Sequence, residues 1–101
     1  MKRPESLMIC GKKFVVKYNP KKCSASYDAG NFIIEIGTKE PESVLENFIH
    51  EITELIFNMY FCRYTSSADN DSGCLIFVAN HKEFQSITCE LQAVLRQLGL
   101  E

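Results

Sequence analysis

His50, Glu51 and Glu54 fall within one short string, His50-Glu51-Ile52-Thr53-Glu54. On a helix, residues four apart stand one above the other on a single face. An imidazole and a carboxylate so placed can grip one metal ion, which is the geometric basis of the HExxH pattern of metal-binding helices. A carboxylate binds zinc at about the distance that an imidazole does, so Glu54 suits the second ligand position. A third protein ligand is then needed, and the chain has one other histidine, His81. The periodicity that follows it places His81 one turn before Phe84, on the stripe that should face the core. A helix N-terminus disfavours a protonated imidazole, and the neutral ring is the form that ligates. His50, Glu54 and His81 would make a His2Glu set with a fourth position left open. Two histidines and a carboxylate also suit iron(II), Fe2+.

Each residue also has a plainer reading. A helical wheel sets His50 nearly opposite the centre of the apolar stripe, so Glu46, His50 and Glu54 could form a solvated ladder of neighbours four apart. His81 could be a helix-start histidine with a local hydrogen bond. Phe57 and Phe61 continue the His50 face beyond Glu54. Two exposed phenylalanines are costly, so this face is expected to be covered by the second helix or by segment 62–80.

The elements that must carry these residues are legible in the pattern. Met8 to Tyr18 reads as a hairpin about Gly11-Lys12-Lys13. Asn19 to Lys22 is a loop, Ser24 to Tyr27 is extended, and Asp28 to Asn31 is a turn. Phe32 to Ile36 is the clearest strand, and Gly37 to Pro41 ends it. A helix is expected from about Pro41 to Tyr60, with Val44, Leu45, Phe48, Ile49, Ile52, Leu55, Ile56 and Met59 forming its stripe. Pro41 suits its first turn. Ser66 to Gly73 is a polar loop, and Cys74 to Val78 is a strand that pairs back on Arg63-Tyr64-Thr65. Asn80 and Glu83 fit a capping box. A second helix runs from His81 to about Leu98, with Phe84, Ile87, Leu91, Val94, Leu95 and Leu98 inward and Gly99 as its stop. The expected fold is α+β: one domain over 1–101, with a small, mostly antiparallel sheet and two main helices.

With 101 residues, 46% of them hydrophobic, the chain can bury one core. Its longest apolar runs fall far short of the roughly 20 residues of a membrane helix, and Met1 to Glu5 lacks a signal-peptide stretch. A cytoplasmic protein without membrane association is expected. Five cysteines, with no CxxC pair, argue against a disulfide framework and for reduced thiols serving as small core residues. Residues 1–39 carry a net charge of +5 and residues 40–101 carry −7. The basic half could meet an anionic partner, or its lysines could simply be the outward faces of strands.

Taken together, these segments resemble the short zinc-metallopeptidase-like proteins of phages and bacteria. The resemblance rests on Phe14-Val15-Val16, Ile33 to Ile36, Val44-Leu45 ahead of His50-Glu51-Ile52-Thr53-Glu54, and a His81 that opens the last helix. It implies a minimal zincin-like, gluzincin-type core with zinc (Zn2+) held by His50, Glu54 and His81, and with Glu51 as general base. Better-known relatives of that class use HExxH with a distant Glu, so His and Glu have changed places here. The activity implied is hydrolysis of a protein or peptide substrate. Glu51 would take a proton from water and pass it to the leaving amine. Tyr27, Tyr60 and Tyr64 are the candidate oxyanion donors. The alternative is a non-catalytic, metal-stabilised protein-binding module of phage or mobile-element origin. Binding of nucleic acid by the basic hairpin ranks last, because no basic helix or stacking aromatics accompany it.

Overall fold

The computed structural model describes residues 1–61, 63–65 and 75–100. In chain order it contains β1 (Ser6–Ile9), β2 (Lys12–Asn19), β3 (Ala25–Asp28), β4 (Ile33–Gly37), a 3-10 turn (Pro41–Ser43), α1 (Val44–Met59), β5 (Arg63–Thr65), β6 (Leu75–Phe77) and α2 (His81–Gln97). This is the α+β fold expected from the pattern. The polar loop expected from Ser66 to Gly73 lies outside the described residues. Among the described residues no helix is long and apolar enough to cross a membrane.

The first hairpin turns one residue earlier than its sequence suggests. Cys10 and Gly11 both have positive φ, 51° and 76°, as a two-residue turn of the type that matches strand twist requires. Ile9 therefore pairs with Lys12 and Leu7 with Phe14. That register puts Leu7, Ile9, Phe14 and Val16 all on the buried face, whereas a slip of one residue would turn them outward. Lys12, Lys13 and Lys17 are exposed.

The four-stranded sheet runs in the order β1-β2-β4-β3. β4 pairs parallel with β2 and antiparallel with β3, so the sheet is mixed, with two of its three pairings antiparallel. β1 and β3 are its edges. The β1 edge is covered by α2. The Gln97 side chain accepts from the Met8 amide at 2.8 Å and donates to the Met8 carbonyl at 2.8 Å. Glu90 accepts from the Cys10 amide at 2.6 Å. Edge groups satisfied in this way cannot template a further strand.

Both helices pack on one face of the sheet. The core joins Leu7, Ile9, Phe14, Val16, Ile34 and Ile36 to Val44, Phe48, Ile52, Leu55 and Ile56 of α1 and to Ile87, Val94 and Leu98 of α2. α2 begins on the expected capping box: Asn80 accepts from the Glu83 amide at 2.8 Å, and Glu83 accepts from the Asn80 amide at 3.0 Å. It ends at Gly99, φ 78°, where the Leu100 amide reaches back to Leu95 and the Gly99 amide to Arg96, each at 2.9 Å. These two bonds close a Schellman motif.

Four expectations about side chains fail. On α1, Leu45 and Ile49, expected in the inward stripe, are exposed, because they flank the line of Val44, Phe48, Ile52, Leu55 and Ile56 that meets the sheet. Phe84 is 53% exposed and His81 is exposed beside it, because burial along α2 starts only at Ile87. Periodicity fixes which angle of a helix faces inward, not how far along its axis the partner extends. Phe57 is covered, by Phe77 in an edge-to-face pair at 5.2 Å, but Phe61 is 83% exposed. α1 ends at Met59 and Phe61 takes a left-handed φ of 58°, so it no longer continues the helical face. Of the free cysteines among the described residues, Cys10 is half-buried, whereas Cys23 and Cys89 are exposed and outside the core.

Candidate metal centre

α1 carries three of the four residues singled out by type and spacing. The His50 Nε2 lies 3.5 Å from a Glu54 carboxylate oxygen and 3.9 Å from a Glu51 carboxylate oxygen. One ligand atom from each of the three lies within 4.8 Å of the others. His50 and Glu54 meet because they are one turn apart on a continuous helix. Glu51 joins them from the flank, about 100° round the helix axis from His50.

The three differ sharply in exposure. The His50 side chain is 69% exposed, as its place opposite the apolar stripe implies. Glu51 is the buried charged residue of the described part of the chain, at 8%. A carboxylate that deep is stable only when other groups compensate its lost hydration. Glu54 is nearly as enclosed, with 15% of its side chain exposed.

What covers the two carboxylates is the edge strand β3. A cleft of about 370 Å3 is lined by Ala25, Ser26, Tyr27, Glu51 and Glu54. β3 alternates: Ala25 and Tyr27 are partly buried against the core, and Ser26 and Asp28 are exposed. β3 has one strand neighbour, β4, so its other edge borders this cleft. Tyr27 is thus the oxyanion candidate that the fold sets beside the carboxylates, with its hydroxyl buried. Tyr60 lines a different groove, with Lys82, Gln85, Ser86, Thr88, Cys89 and Glu90. The Tyr64 side chain lies outside the described residues.

Two residues that the sequence pattern does not single out join α1 to the segments on either side of β3. The Asn47 side-chain amide donates to the Cys23 carbonyl at 2.8 Å and to the Gly37 carbonyl at 3.1 Å. It therefore ties the entry of β3 and the end of β4 to α1, one turn before Glu51. Gly37 makes this approach feasible, since a Cβ there would run into the backbone carbonyls of Ser24 and Lys22. In the sequence Asn47 is marked only by its position four before Glu51 on the same face, and Gly37 reads as a strand end.

His81 stands apart. It is the first residue of α2 and exposed, and the group of metal-ligating atoms on α1 does not include it. One imidazole and two carboxylates in this arrangement could hold a metal ion.

No family model, curated protein or solved structure matches the chain. The site is therefore read from its own geometry.

Proposed function

We propose that this chain is a metal-dependent hydrolase of the zinc-peptidase type, acting on an extended protein or peptide segment. In this reading His50 and Glu54 supply two ligands of the ion, His81 is the candidate for the third, and Glu51 is the general base. The observation that supports it most is the convergence of His50, Glu51 and Glu54 within 4.8 Å beside a cleft walled by the edge of β3. A bound ion would supply Lewis acidity and make water acidic enough to be activated near neutral pH. Glu51, 3.9 Å from the His50 ring nitrogen, takes the proton of the attacking water and returns it to the leaving amine. Its enclosure by β3 keeps bulk water from competing for that proton. Main-chain pairing with the open edge of β3 would hold an extended segment over the carboxylates.

Metal content of the purified protein, read by elemental mass spectrometry, tests the reading. One zinc per chain is expected, lost in His50→Ala and in Glu54→Ala. Loss in His81→Ala as well identifies His81 as the third ligand; retention there leaves the ion to α1. Absence of metal after dialysis against zinc overturns the proposal.

A further inference from the structure

We infer that Asn47 is a positioning residue for the site, acting as a latch that holds β3 over Glu51. The inference rests on the metal-centre reading for its functional meaning, but its geometry stands apart from it. Four observations carry it. The Asn47 amide spans two carbonyls from separate segments, Cys23 ahead of β3 and Gly37 at the end of β4. Gly37 has no room for a side chain against Ser24 and Lys22, so the latched approach is tight. Asn47 and Glu51 are one turn apart and share the face of α1 turned toward β3. Glu51 lies in the cleft wall opposite Ala25, Ser26 and Tyr27, so whatever fixes β3 also fixes the cover over Glu51.

The chemistry of the latch is specific. A carboxamide NH2 offers two uncharged donors from one short side chain, one for each carbonyl. Asn47→Asp keeps the shape but leaves no donor and turns a carboxylate on two carbonyls. Asn47→Ala removes the latch without adding charge. In either variant β3 can lift, Glu51 becomes accessible to water, and the low-dielectric wall that strengthens charge interactions at the site is lost. The ligands His50 and Glu54 stay where α1 holds them. The expected functional effect is therefore graded and falls on turnover, of the order of the tenfold loss in activity that follows removal of a supporting residue around a metal site.

Carbodiimide-driven labelling of carboxylates with glycine ethyl ester, read by peptide mass spectrometry on the metal-free full chain, tests the latch directly. Exposed Glu46 serves as internal reference. In the wild type Glu51 should label far more slowly than Glu46; in Asn47→Ala and Asn47→Asp it should approach the Glu46 rate. Asn80→Ala, which weakens α2 elsewhere, should leave Glu51 protected and so excludes general loosening as the cause. Unchanged Glu51 protection in the Asn47 variants overturns the latch. Hydrolysis of an unstructured protein substrate by the zinc-loaded proteins tests the link to the site: turnover about tenfold slower in Asn47→Ala than in Asn80→Ala at equal zinc content supports it, and equal turnover overturns it. If wild type binds no zinc, the metal reading fails and the labelling still judges the latch.

Discussion

Glu51 is enclosed while His50, its neighbour in sequence, is open: their side chains are 10% and 69% exposed, and yet the imidazole Nε2 and a Glu51 oxygen are 3.9 Å apart. A single helical step separates a water-facing imidazole from a covered carboxylate. Under the proposed function this leaves the ion reachable and the proton acceptor shielded. It also means that the two residues respond differently to substitution.

Glu51→Gln preserves shape and removes the base. The expected outcome is retention of metal, with hydrolysis of an unstructured protein substrate reduced about 10²- to 10⁴-fold. His50→Ala should lose both together. Parallel measurement of metal content and turnover separates the roles. Metal loss in Glu51→Gln would instead make Glu51 a ligand.

Gly37→Ala forces a methyl against the carbonyls of Ser24 and Lys22. These are main-chain atoms and cannot swing aside. Stability should fall by about 1–3 kcal/mol, the usual cost of overpacking. Urea denaturation at neutral pH measures it. A neutral result would show that the Lys22–Ser24 segment is free to move away from β4.

Asn80→Ala removes a cap whose two reciprocal bonds are both formed. About 1 kcal/mol of stability should be lost. Asn80→Gly should lose only a few tenths, because glycine is itself tolerated at that position. Thermal or urea melts of the pair distinguish the lost hydrogen bond from a change in backbone freedom.

Cys10 gives the fold a dependence on alkaline pH. Burial, and then the nearby Glu90 carboxylate, push its thiol from 9.0 up to about 11. Between these values the folded chain keeps the proton that the unfolded chain releases, so this contribution is full below pH 9 and is lost as pH rises toward 11. Tyrosines and lysines titrate nearby. The readout is therefore the difference between wild type and Cys10→Ala, whose stability should fall less steeply over that window. Identical slopes would mean that the thiol is not shielded.

Local chemistry made much of this protein legible in its sequence. The capping box at Asn80 and Glu83, the stop at Gly99 and the inward line of Val44, Phe48, Ile52, Leu55 and Ile56 on α1 each depend on residues within a turn or two of one another, and each is formed. The pairing of His50 with Glu54 is of the same kind, because any helix through that string brings residues four apart together.

Tertiary structure decided the rest. That β3 is an edge, and that it lies against α1, depends on the strand order β1-β2-β4-β3, which no local pattern encodes. Glu51 is buried where α1 faces β3 across a cleft, and β3 is placed there by its pairing with β4 and by an Asn47 side chain that bridges Cys23 and Gly37 from separate segments. Phe84 and His81 match the inward angle of α2 yet stand exposed, because a helix buries only the length that its partner covers. Sequence by itself determined which groups share a helical face; only packing between distant segments determined which of them are sealed and which meet water.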